Sequence, residues 1–173
     1  MTPAGHLAVS YSLGKFSKRL VIPALLIGGL APDIDFILLP FKFFNRYHRV
    51  ITHNLLFILF VAFIILLFFK KQDKLRVFFS AFIGGLVHLS IDSVLDNNPA
   101  NGIGIAWFWP FVKDIYAPFN LISSDKFVAD GWTNVHSMVK ESFRLLVIEI
   151  PFILLALFLF TKDKLKNVIK KGS

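Results

Sequence analysis

Apolar residues gather into four long runs: 20–40 (LVIPALLIGGLAPDIDFILLP), 54–69 (NLLFILFVAFIILLFF), 77–95 (VFFSAFIGGLVHLSIDSVL) and 145–160 (LLVIEIPFILLALFLF). The second is apolar on every side, so a helix built from it reserves no face for water. The first is broken by Pro23, Pro32 and two Asp, the third carries one His and one Asp near its end, and the fourth holds Glu149. A milder run, 3–14 (PAGHLAVSYSLG), comes first and lacks the basic start of a signal peptide. These patterns predict an all-α, polytopic membrane bundle of about five membrane-associated helices, folded as a single domain over residues 1–173. Residues 96–142 are rich in Gly, Pro, Asn and aromatics, which predicts a long outer connection carrying short helices and an interfacial belt of rings.

Composition narrows the class. Apolar residues make up 55% of the chain and charged residues 17%, with 21 Phe. A soluble domain carries about 25% charged residues, so much of this surface faces something other than water. A soluble enzyme, a disordered tail and a collagen-like fibre are excluded, and membrane lipid is the expected surrounding. The net charge of +8 would point to nucleic acid in a soluble protein. Here the Lys and Arg set orientation first, and no nucleic-acid partner is inferred. Lys15, Lys18 and Arg19, then Lys70, Lys71, Lys74 and Arg76, then Lys162, Lys164, Lys166, Lys170 and Lys171 supply twelve of the nineteen basic residues. Placed together on the cytoplasmic side, they put the C-terminus inside and gather the histidines and most carboxylates in or beyond the outer half.

That gathered set carries the candidate chemistry. With no Cys in the chain, a transition-metal site must be built from His, Asp and Glu. His88 and Asp92, spaced i, i+4, share one helix face and suit one ion. His48 and His53 flank Arg49 and Thr52, with Thr52 the expected N-cap of the following helix. Asp33 and Asp35 follow Pro32 where the run 20–40 is broken, and their spacing of two lets one bind metal while the other caps, orients a His or acts as base. His6 is the ligand expected from the N-terminal segment. The metal ligands read this way are His6, Asp33, Asp35, His48, His53, His88 and Asp92; Asp35 and Arg49 are the catalytic candidates, Arg49 as an oxyanion or phosphate clamp. His136 and Glu141 sit five apart, awkward for a helix, and Glu149 fits either support of a ligand or a helix-packing hydrogen bond. Ile27-Gly28-Gly29-Leu30 and Ile83-Gly84-Gly85-Leu86 form a faint echo; paired glycines let helix backbones approach and bring the following polar residues together.

Gly5-His6-Leu7, Leu30-Ala31-Pro32-Asp33-Ile34-Asp35, His48-Arg49-Val50-Ile51-Thr52-His53, Gly85-Leu86-Val87-His88-Leu89-Ser90-Ile91-Asp92 and Trp109-Pro110 resemble, in order, the motifs of the YdjM-like family of inner-membrane metal-dependent hydrolases. The resemblance covers residues 1 to about 111 and implies an inner-membrane hydrolase without supplying a substrate. A more distant similarity, to the zinc-dependent phospholipase C and P1-nuclease group, implies that Asp92 bridges two ions, that His88 with His48 or His53 completes one of them, and that His6 serves the other. It also implies a phosphodiester of a lipid or lipid-linked substrate. The group's later His-x-x-x-Glu pair is missing here, since Glu141 stands one place too far from His136.

The resulting expectation is a membrane hydrolase using one or two divalent ions, zinc first and manganese second, with its site facing outside. The competing expectations are an ion or proton transporter, which needs polar groups near the bilayer midplane and access from both faces, and a non-catalytic protein in which metal ties helices together.

Overall fold

The computed structural model describes residues 1–38, 40, 41, 43–69, 73–95, 104–117 and 135–172, the last stretch with side chains at 146–166 and 168. Its helices are α1 (Pro3–Phe16), α2 (Ile22–Leu30) running into a 3-10 helix (Ala31–Leu38), α3 (Phe44–Tyr47), α4 (Leu55–Leu66), α5 (Lys74–Leu95) and α6 (Val135–Gly172). Among the described residues the fold is all-α, and a single antiparallel bridge between Ile105 and Tyr116 is the nearest approach to a strand. One described helix, α5, is long and apolar enough to cross a bilayer. Its 22 residues span roughly 33 Å, whereas the 12 of α4 are more apolar but shorter than a full crossing.

Local chemistry sets the boundaries. Thr2 accepts the Gly5 amide at 3.3 Å to open α1, and Pro3 follows, where its missing amide costs nothing. Pro32 cannot donate to the α-helical ladder, and there α2 tightens into the 3-10 helix. The N-cap of α4 is Asn54, not Thr52: its side chain accepts the Phe57 amide at 2.8 Å and donates to the carbonyls of Val50 and Ile51. Thr52 is two residues too early for that duty and turns toward Asp35 instead. The outer connection also differs from expectation. Residues 104–117 form turns and the bridge rather than a helix, while α6 already begins at Val135 and takes the backbones of His136 and Glu141 into its first turns. The side chains of those two residues, and residues 96–103 and 118–134, lie outside the described ones.

Small residues hold the centre. Buried Ala24, Ala62 and Ala81 pack with Ile65 and Val77, and Ile58, Leu89 and Ile105 form a second cluster toward the other end. The two glycine pairs meet as the echo suggested. A Cβ added to Gly28 would overlap the Ala81 carbonyl, and one on Gly84 would overlap the Leu25 carbonyl, so α2 and α5 touch backbone to backbone. The two helices run the same way. Arg76 donates to the carbonyls of Lys18 and Arg19 (3.1 and 2.9 Å) beside the start of α2, and His88 reaches the Gly29 carbonyl at its end.

Described members of the three basic clusters share one end of the bundle. Lys15 pairs with Asp163, and Lys74 donates to the Leu66 carbonyl at 2.7 Å, close by Arg76. Between the ends the outward face is apolar: Phe60 and Phe63 on α4 and Leu154 and Phe158 on α6 are each more than half exposed. An apolar belt of this extent suits lipid and not water. Inside it, Glu149 is fully buried, and its carboxylate accepts both the amide and the hydroxyl of Thr2. That makes it a helix-packing contact which satisfies the N-terminus of α1 and adds negative charge where the helix dipole favours it.

Candidate metal centre

Four chain segments converge at the end opposite the lysines. The 3-10 helix brings Asp33 and Asp35, the turn after α3 brings His48 and Arg49, the residues before α4 bring Thr52 and His53, and the last turns of α5 bring His88 and Asp92. All four histidines and carboxylates of the group Asp33, His53, His88 and Asp92 are buried, and their ligand atoms lie within 4.8 Å of one another.

The spacing is closer than that bound. His88 Nε2 lies 3.3 Å from His53 Nε2, 3.6 Å from Asp33 Oδ1 and 3.4 Å from Asp92 Oδ2. His53 Nε2 lies 3.7 Å from Asp33 Oδ1 and 3.6 Å from Asp92 Oδ2. Bonds of about 2.0–2.1 Å in a tetrahedral shell separate neighbouring ligand atoms by about 3.3–3.4 Å, so these residues fit one divalent ion with little adjustment. Orphaned atoms agree: Asp33 Oδ2 and His6 Nδ1 are buried with no hydrogen-bond partner.

Hydrogen bonds behind the group fix which nitrogen is bare. The His88 Nδ1–H donates to the Gly29 carbonyl at 2.7 Å, leaving the Nε2 lone pair facing its three neighbours. The Thr52 hydroxyl donates to Asp35 Oδ2 at 2.8 Å and accepts from His53 Nδ1 at 2.9 Å, which leaves His53 Nε2 bare as well. His48 Nδ1 donates to Asp35, 2.9 Å from Oδ2 and 3.0 Å from Oδ1. Burial pushes the His48 imidazole down to about 4 against the pull of Asp35, so the ring is neutral at physiological pH. Asp35, His48 and His53 thus form a second buried group that also has the makings of a metal site. The Thr52 relay joins the two groups through His53. Replacing Thr52 by Val is expected to weaken metal binding roughly 10–100-fold, with Thr52→Ser restoring most of it, as read by competition with a chelating dye.

The sequence-expected residues therefore divide. Asp33, His53, His88 and Asp92 come together; Asp35 and His48 stand beside them; His6 stacks on His88, ring centroids 3.6 Å apart, with Nε2 3.1 Å from Asp92 Oδ1. Arg49 points into the site and donates to Asp92 Oδ2 at 3.0 Å, from a backbone with φ of +70°. A non-glycine residue in that region carries strain, which its neighbours must hold: the Arg49 carbonyl accepts the Ala106 amide at 3.3 Å. Sequence reasoning passed over three contributors. They are Thr52 as a relay, the Gly29 carbonyl that orients His88, and the Met1 amine 2.7 Å from Asp92 Oδ1.

An all-helical membrane protein that buries a His and Asp cluster at one end of its bundle is the class that this fold and site define. The chain belongs to the YdjM inner membrane protein family, whose profile it matches over residues 1–165. It is similar to the inner membrane protein YbcI of Escherichia coli strain K12, with 29% identity over 139 residues, covering 74% of this chain and 79% of that one. No solved structure matches it. Family and relative agree on the inner membrane, as the apolar belt does.

Proposed function

We propose that this protein is a multi-spanning inner-membrane metallohydrolase that uses a divalent ion, zinc before manganese, to cleave a phosphodiester of a lipid or lipid-linked substrate at the outer membrane boundary. The observation that carries the reading is what stands beside the His53, His88, Asp33 and Asp92 group and that a purely structural ion does not need: the unpartnered Asp33 Oδ2 and the Arg49 guanidinium 3.0 Å from Asp92 Oδ2. A divalent ion held by Asp33, His53, His88 and Asp92 would supply Lewis acidity to the group attacked. Asp33 keeps Oδ2 free to take a proton from an attacking water, Arg49 sits where charge develops on the attacked group, and Asp35 holds His48 and Thr52 in register. The outward apolar faces of α4 and α6 support several crossings, and the basic clusters, kept cytoplasmic by the positive-inside rule, leave the site outside.

A second reading has an observation in its favour. Four protein donors fill a tetrahedral shell, as closed structural ions require, and a non-catalytic ion that ties α4, α5 and the 3-10 helix together meets that description. Elemental analysis of detergent-purified protein, joined to turnover of bis(p-nitrophenyl) phosphate, separates the two. The hydrolase reading expects about one to two ions per chain, hydrolysis abolished by chelation, and an Asp33→Asn variant that keeps most of its metal while losing at least 100-fold in rate. Bound metal with no hydrolysis, and unfolding on chelation, would favour the structural ion. Protein that is metal-free and cannot be loaded would end both readings and bring proton-coupled transport forward.

A further inference from the structure

The geometry points to a hydrocarbon-chain site between α2 and α4, continuous with the metal centre, that takes one acyl chain of a membrane lipid. This inference rests on the hydrolase reading for its purpose and on separate observations for its existence. A cavity of about 830 Å³ runs between the two helices. Asp33 is at one end, Ile27, Phe60 and Ile64 line its middle, and Phe68 lies at the other. Small-molecule sites occupy about 300–1,000 Å³, so the space is of ligand size.

Its shape selects the occupant. From Phe57 to Ile65 the α4 wall rises roughly 12 Å, and Phe68 and Phe69 carry it further. Half the hydrocarbon thickness of a bilayer is roughly 15 Å, the depth that one leaflet's chain covers. Ile27, Ile34 and Phe60 at its rim are about half exposed or more, which opens the cavity sideways to the apolar belt rather than to water. Its lining is apolar except at Asp33, and that carboxylate is buried with Oδ2 unpartnered. A chain lying in the groove would carry its polar linkage to the end where Asp33, His53 and His88 meet.

Photolabelling in vesicles tests it. The probe is phosphatidylethanolamine with a diazirine midway along one acyl chain, diluted into phosphatidylethanolamine and phosphatidylglycerol, with adducts mapped by mass spectrometry and metal measured on the same samples. Labelling of Phe60 and Ile64 is expected to exceed that of Leu154 and Phe158 on α6, which are equally or more exposed, at least threefold. It should fall at least threefold in Ile64→Trp and in Val61→Phe, which fill the groove, and hold in Leu59→Trp on the opposite side of α4. Equal labelling of α4 and α6, indifference to the filling variants, or cross-linked dimers through Phe60 would overturn the chain site, the last by assigning the groove to a second copy. The metal readout keeps the two readings apart. Preferential labelling of metal-free protein leaves the chain site standing without the hydrolase, and metal-loaded protein without preferential labelling removes the chain site alone.

Discussion

Asp92→Ala is expected to leave the purified protein without its metal and to cost the fold about 3–5 kcal/mol, the penalty for breaking a buried ion pair by removing one partner. The size of the effect follows from what one carboxylate holds. Asp92 is 1% exposed; its Oδ1 accepts the Met1 amine and its Oδ2 the Arg49 guanidinium, while Oδ2 also faces His53 and His88. Removing it takes the carboxylate away from the Met1 amine and the Arg49 guanidinium and takes one corner from the ligand group. Asp92→Asn keeps the shape and one acceptor oxygen, so thermal unfolding should recover part of the loss while metal content does not. A variant with wild-type metal content would show that Asp92 serves the fold alone.

The second large effect lies away from the site. Gly84→Ala is expected to disrupt the bundle, because the new methyl overlaps the Leu25 carbonyl and backbone cannot rotate aside. Gly28→Ala meets the Ala81 carbonyl in the same way. Gly85→Ala is the milder contrast: its methyl would lie 2.8 Å from Cβ and Cγ2 of Ile58, a shallower overlap than those against the Leu25 and Ala81 carbonyl oxygens, so the cost there should be smaller. Melting temperatures in detergent should rank Gly85→Ala well above the other two. Forcing α2 from α5 also draws the Gly29 carbonyl from His88, so metal affinity should fall with stability. If all three variants melt alike, the contact between the helices is looser than described.

Much of this was legible in the chain itself. His88 and Asp92 were readable as one face because helical spacing of four fixes it, and Asp33 entered through the Pro32 break that ends α2. The glycine echo foretold a close crossing, since nothing else makes two adjacent glycines useful in an apolar helix. The choice between Thr52 and Asn54 as cap was not legible, because both residue types cap well and only the folded turn decides which is free for Asp35 and His53. Contacts such as Thr2 with Glu149, 147 residues apart, leave no periodicity to read. The outer connection misled for a related reason: its Gly, Pro and aromatic content reports an interface without saying where the next helix begins, and α6 starts well before its apolar run.

The grip of α6 on α1 carries a consequence for biosynthesis. Glu149 holds the first turn of α1 and Asp163 holds Lys15 in its last, so α1 is clasped at both ends by α6, a helix made more than a hundred residues later. Until the ribosome has finished α6, the Thr2 amide and hydroxyl have no such partner in an apolar surrounding, and α1 has no fixed seat. His6 rides on that helix, stacked on His88 and close to Asp92 at the candidate metal centre. Synthesis of α6 is therefore the step on which the seating of α1 waits, and a chain stalled before residue 149 would lack the clasp that holds His6 against His88.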